Sequence, residues 1–231
     1  HSIDYLLLTG AYAFSALLCL FLLIRVEKQE SIPVLSVSLL QRRQVLLVGF
    51  ISIGLGLFQS SFVFVPHMLV ELYHVSSSTA SFMLIPVVLA SAIAAPISGL
   101  ITDKLGSRIV ILIGLVLATF GLFITGMQPE LKWQFYIAGG LIGVGFSMRT
   151  SLNYIMLLEA NPQERAMAQG LLTIFVALGQ LAGASAIGAI ASGQGALSGF
   201  GPAFIIMAIL AMIMTISSLF LKSRQKEISE Q

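Results

Sequence analysis

The amino-acid sequence predicts an all-helical, polytopic transmembrane bundle, on three observations. Of 231 residues, 57% are hydrophobic and only 10% charged, where a soluble domain carries about 25% charged residues. The apolar residues fall into seven continuous runs, most of them near the roughly 20 residues that a helix needs to cross the hydrocarbon. The basic residues sit almost entirely in alternate loops between those runs.

The same composition excludes several classes. A disordered chain needs low hydrophobicity and high charge, and strands of a closed β-barrel need alternating segments about ten residues long. With 12 Lys+Arg against 10 Asp+Glu and a net charge of +2, there is no basic footprint for nucleic acid. The single cysteine, Cys19, allows neither an internal disulfide nor a cysteine metal site.

Taken in order, the first run is Tyr5–Ile24. No basic n-region and no small-residue cleavage site precede it, so it reads as a membrane span rather than a signal peptide. The chain opens on His1 and is expected to begin inside something longer. Residues 25–44 form a linker loop with a charged start (Arg25, Glu27, Lys28, Glu30), Pro33 and a stretch, Val34–Leu40, suited to a short surface helix. Six further spans follow at Val45–Val65, Ala80–Ile101, Ile109–Gly126, Phe135–Leu158, Ala166–Ile190 and Pro202–Leu221. The expected division is a preceding span at 1–24, the linker at 25–44, a six-helix unit at 45–221 and a tail at 222–231.

Loop charge orients the spans. Arg25, Lys28, Arg42, Arg43, Lys104, Arg108, Arg165, Lys222, Arg224 and Lys226 lie on one side and only Lys132 on the other, a strong positive-inside asymmetry. The basic side, including the C-terminus, is therefore expected to be cytoplasmic in a cell membrane. Trp133 and Tyr136 mark the outer interface, where amphipathic rings settle.

One loop carries a motif. Gly99-x-x-x-Asp103-Lys104-x-Gly106-x-Arg108 occupies the basic turn between the third and fourth runs. Gly99 suits close approach of a neighbouring helix, and Gly106 a turn of unusual φ. Asp103 is placed to meet a helix N-terminus, whose partial positive charge favours a carboxylate. This pattern resembles the signature loop of the major facilitator superfamily. The stretch from Pro66 to Arg108, with Phe82–Pro86 and Pro96, is similar to its drug:proton antiporter branch. So are Asn161-Pro162-Gln163-Glu164-Arg165 with Gln169-Gly170, and Gly179-Gln180 with Gly183.

That family has two six-helix halves around a midplane substrate site. The resemblance implies that residues 45–221 are the second, C-terminal half and that Tyr5–Ile24 is the span before it. Under that mapping the second and fifth runs line the cavity, the third and sixth face the first half, and the fourth and seventh face lipid. Asp103 is then a cytoplasmic gate residue with Gly99, Lys104, Gly106 and Arg108. The start of the sixth run (Glu164, Arg165, Gln169, Gly170) is the gate partner of the first half's equivalent loop.

Independently of the resemblance, polarity concentrates on the fifth run, where Ser147, Arg149, Thr150, Ser151, Asn153 and Tyr154 fall within eight residues. An arginine inside a span costs roughly 2.5–3.5 kcal/mol on insertion scales and faces a cavity or a partner. Arg149 lies sixteen residues beyond Trp133, roughly 24 Å along a helix within a core of about 30 Å. Gly145, Arg149 and Asn153 are spaced i, i+4, i+8 to share one helical face. Two readings stand for Arg149, a substrate or coupling cation and a gate ion pair or snorkelling anchor.

The second run adds Gln59 and Ser60 flanked by Phe62, suited to an adaptable pocket or to helix–helix bonding. With Arg149, Asn153 and Tyr154 these are the cavity candidates. Gln169, Thr173 and Gln180 align on the sixth run beside Gly179-x-x-x-Gly183, which favours close helix packing. His67, Glu71 and His74 read as a solvated helix end rather than a metal site. No catalytic constellation appears, so neither an enzyme nor a cofactor or metal is expected.

The function expected is secondary active transport by alternating access, namely proton-coupled efflux of drug-like or amphipathic small molecules. Its partners would be lipid, the other half, the substrate and protons, with no nucleic acid. The alternatives are an uptake or exchange carrier of a metabolite or anion, or a receptor or assembly protein on the same fold. The second is motivated by the lack of any acid inside the spans of the six-helix unit.

Overall fold

The computed structural model describes residues 37–194 and 196–222, with side chains over 39–189 and 199–222. The predicted span Tyr5–Ile24, most of the linker and the tail from residue 223 lie outside the described residues.

After a single helical turn at Val37–Leu40 (α1), the chain builds α2 (Arg43–Ser61), α3 (Val65–Tyr73), α4 (Ser77–Phe82) and α5 (Ile85–Leu105). It continues with α6 (Ser107–Gly126), α7 (Lys132–Phe146), α8 (Arg149–Glu159), a 3₁₀ turn at Pro162–Glu164, α9 (Arg165–Gln194) and α10 (Ala196–Ser218). Six segments are long and apolar enough to cross a membrane: Arg43–Ser61, Ser77–Leu105, Ser107–Gly126, Lys132–Glu159, Pro162–Ala189 and Gly199–Ser218. No strand occurs among the described residues. These six correspond to the second through seventh predicted runs.

Three predicted runs are interrupted. The second run does not continue to Val65: the N–H groups of Phe62, Val63 and Phe64 bond to carbonyls three residues back, and Pro66 sits in the first turn of α3, where its missing N–H costs nothing. The third run begins as the short α4, capped by the Ser76 hydroxyl accepting from the Thr79 N–H at 3.2 Å, and restarts at Ile85 with Pro86 in the first turn. The fifth run tightens between Val144 and Thr150, where the Ser147, Met148 and Thr150 N–H groups all bond three residues back. The Ser147 hydroxyl donates to the Val144 carbonyl at 2.6 Å, a local bond that competes with the helical ladder.

Between α5 and α6 a single residue turns the chain. Gly106 adopts φ 89° and ψ 157°, a region essentially closed to side-chain-bearing residues, as the sequence predicts.

Small residues set the packing. α2 and α9 lie so close that a Cβ at Gly56 would fall on the Val176 carbonyl, and one at Gly179 on the Ile53 carbonyl. The Gly179-x-x-x-Gly183 spacing is therefore a helix seam. α7 is held from two sides: Gly143 meets the Val87 carbonyl of α5, and Gly145 meets the Gly114 carbonyl of α6. α6 also packs on α10 through Gly126 and Gly201, while Ile113, Phe120, Phe123, Ile209 and Ile213 point outward.

Candidate functional site: a polar cleft in the bundle

A cleft of about 690 Å³ opens among α2, α5, α8 and α9. Its polar lining is Gln59, Ser91, Ser147, Thr150, Asn153, Gln169 and Thr173, its apolar wall is Ala92, Ala95, Phe146 and Leu172, and Arg149 is its one charged residue among those described. Each position follows from local structure. The tight turn at Val144–Thr150 makes Arg149 the first residue of α8, and Asn153 follows one turn later on the same face.

Gln59 extends from the last turn of α2, where its side-chain oxygen accepts from Gln180 Nε2 at 3.0 Å, tying α2 to α9. The α5 wall is fixed to the turn by two hydroxyl pairs, Ser98–Ser147 at 2.5 Å and Thr102–Ser151 at 2.6 Å. Buried polar groups paired in this way hold one arrangement of the two helices.

The structure brings together Gln59, Arg149 and Asn153 of the cavity candidates and leaves out three others. Ser60 is buried, donates to the Leu57 carbonyl at 2.8 Å and lies under Gly183 in the α2–α9 seam. Phe62 stands behind the wall, edge-on to Phe146 at 5.4 Å between ring centroids. Tyr154, one residue past Asn153 on α8, is half-buried outside the lining. Gly145 shares no face with Arg149, because the tight turn directs it onto α6. The α5 contribution (Ser91, Ala92, Ala95) had no polar signal in the sequence beyond one serine, and Gln169 and Thr173 prove to be lining residues.

At the end of the bundle carrying the glycine motif, Asp103 is exposed on the last turn of α5. A helix C-terminus disfavours a carboxylate. Among the described residues Asp103 has no hydrogen-bond or ion-pair partner, and it does not cap α6, whose N-cap is Gly106. Gly99 has no close neighbour there either, since a Cβ would lie 3.9 Å from Thr150 Cγ2; no described helix exploits the small residue. Glu164 is engaged locally: its carboxylate accepts from the Asn161 N–H at 3.3 Å and the Asn161 side-chain amide at 3.1 Å, which defines the start of α9. Arg165 and Gln169 are exposed beside it, and Gly170 has nothing within 4 Å of a would-be Cβ.

The same end holds a cluster that sequence reading missed. Glu159 is largely buried and pairs with Lys222 Nζ at 2.5 Å, while Arg42 donates to the Glu159 carbonyl. Gln44 Oε1 accepts from the Lys222 N–H at 3.1 Å. Three chain segments 117 and 63 residues apart are thus tied, a connection with no local signature. At the opposite end, His67 Nε2 lies 3.4 Å from Glu71 Oε1, whereas His74 terminates α3 in the left-handed conformation. The Tyr73 hydroxyl donates to the Pro129 carbonyl at 2.6 Å, and burial, then the Tyr136 phenol, raises the Tyr73 pKa.

The profile of the Major Facilitator Superfamily matches residues 46–231. The chain belongs to this superfamily. It is 31% identical over 160 residues, 67% of this chain and 30% of the relative, to an uncharacterized MFS-type transporter, YfiU, of Bacillus subtilis. It is 29% identical over 175 residues, 73% of this chain and 33% of the relative, to the methyl viologen resistance protein SmvA of Salmonella typhimurium. The chain thus spans about a third of the length of these curated relatives. Superfamily membership and six apolar spans make this a multi-pass membrane protein of a transporter family.

Proposed function

We propose that this chain is the C-terminal half of a secondary transporter that exports amphipathic small molecules by alternating access, coupled to proton entry. The observation that carries the reading is the cleft: a mixed polar and apolar chamber lined by four helices, with a guanidinium, inside an otherwise apolar bundle. Polar groups facing lipid would be unpaired and costly, so such a chamber is wet and accessible to solute.

Two further observations support it. The Ser77–Leu105 span is only 17% buried, against 67% for Arg43–Ser61, which suits a helix that another half covers. A relative is named for resistance to methyl viologen, which fits export of a toxic solute. Asp103, stranded at a helix end that disfavours it, is then the gate residue that meets a helix N-terminus of the other half. The start of α9 (Arg165, Gln169, Gly170) receives the reciprocal loop. The basic loops and the C-terminus face the cytoplasm of the cell, and the titrating acid resides in the other half.

The test is solute flux by the complete protein in proteoliposomes under an imposed proton gradient. Gradient-driven movement of an amphipathic dye is expected. No flux under any gradient, with the protein intact and inserted, would instead favour a receptor or assembly protein on this fold.

A further inference from the structure

We propose that the cleft contains an oxyanion subsite centred on Arg149, so that the substrates held best are amphipathic molecules carrying a carboxylate or sulfonate. The inference deepens the transport reading and rests on it for the cleft's role.

The charge inventory around the cleft carries the argument. Among the described residues Arg149 is its only ionised group, and every other polar residue lining it is an uncharged amide or hydroxyl. Among the described residues Arg149 has neither a hydrogen-bond nor an ion-pair partner, although it is exposed into the cleft. The nearest acid in sequence, Glu159, is bound to Lys222 at the end of the bundle, and Glu164 is bound to Asn161. The tight turn leaves no row of free amides to serve instead, since the Thr150 and Leu152 N–H groups are bonded within the chain. The guanidinium is therefore the charged donor in this cleft.

Its chemistry then selects the ligand. A guanidinium presents a planar fork that matches the two oxygens of a carboxylate, and Asn153, one turn along, has an amide that donates to the same group. In a cleft walled partly by apolar helix surface an isolated cation attracts an anion and repels a second cation more strongly than on an open surface. In the same cleft, Phe146, Leu172, Ala92 and Ala95 supply the apolar wall for the rest of the molecule. A small oxyanion alone would leave that wall unused, so one charged end and one apolar body are the better fit.

The experiment uses the complete protein in lipid nanodiscs and two probes with one apolar body, 1-pyrenebutanoate and (4-pyren-1-ylbutyl)trimethylammonium. Equilibrium binding is measured by fluorescence for the parent, Arg149→Gln and Arg149→Lys. The parent is expected to bind the anion more tightly than the cation. Arg149→Gln should weaken the anion roughly 10- to 100-fold, the range of a charge-assisted hydrogen bond, and leave the cation equal or tighter. Arg149→Lys should fall between, because it keeps charge and loses the fork.

A parent with no preference for the anion overturns the subsite. So does equal weakening of both probes in Arg149→Gln, which would make Arg149 the partner of a carboxylate elsewhere in the protein. Proton-driven flux of either probe is measured in parallel. Flux with unchanged charge selectivity in Arg149→Gln defeats the subsite and leaves transport standing, whereas selective binding without flux of either probe defeats transport and leaves the subsite.

Discussion

The two faces of α9 are made of similar residues and end in opposite situations. Toward α2, Gly179 and Gly183 press against the Ile53 and Leu57 backbone, and Val176 is buried. On the other face Ile174, Leu178 and Leu181 are exposed, and Gly170 touches nothing. The difference teaches that a glycine in a membrane helix marks a seam only when a partner backbone sits over it. At Gly170 the sequence has left the same kind of vacancy with no described helix in it.

Replacing glycine by leucine on each face breaks or sharpens this contrast. Gly179→Leu should be the most damaging substitution, since its Cβ overlaps the Ile53 carbonyl. Overpacking of that kind costs about 3 kcal/mol, which is roughly 6–12 °C in Tm for a domain of this size. Gly170→Leu should leave Tm within about 2 °C, as exposed substitutions do, while reducing transport if a second half docks there. Scanning thermal unfolding and flux on the same two preparations check both halves of the statement.

Charges give the next comparison, between a paired group and an unpaired one. Glu159→Gln removes the partner of Lys222, which is 24% exposed, and should cost about 2 kcal/mol, below the range for a fully buried pair. Arg149→Gln should not lower Tm at all. A measured loss for Arg149→Gln as large as that for Glu159→Gln would mean that Arg149 has a structural partner.

Asp103→Asn should be smaller again and kinetic in character. A carboxylate at a helix N-terminus is worth about 1 kcal/mol, so transport should fall roughly fivefold with insertion and Tm unchanged. Full activity would remove the gate role.

The smallest expected effect is at the opposite end. The Tyr73 phenol has a raised pKa in the fold, so its contribution is complete below the ordinary phenol value of about 10 and falls away as pH climbs from there through the raised value. Thermal unfolding between pH 8 and 11 should show the parent losing a few degrees relative to Tyr73→Phe.

The sequence was most legible where one chemical property decided the outcome. Continuous apolar runs located all six described spans, and Gly106 announced its turn because no other residue takes that φ. Arg149 and Asn153 were legible as cleft residues because an arginine in a span needs water or a partner. What failed was the extrapolation of a face. The tightening between Val144 and Thr150 sends Gly145 and Arg149 in different directions, and spacing arguments assume an unbroken ladder. Ser60 and Gln59 are adjacent and both polar, yet one faces the seam and the other the cleft. Only the position of α9 decides between them. The tie from Glu159 to Lys222 and Arg42 joins distant segments, so no window of sequence contains it.

The Gly106 turn has a mechanical consequence. With one residue between α5 and α6, and with that residue in a conformation that other residues resist, there is no slack to take up a displacement. A hinge would need several residues free to change φ and ψ. α5 and α6 must therefore act as a single bent lever. A push on α5 from outside the bundle is handed to α6, and through Gly126 and Gly201 to α10, a helix that gives no residue to the cleft lining.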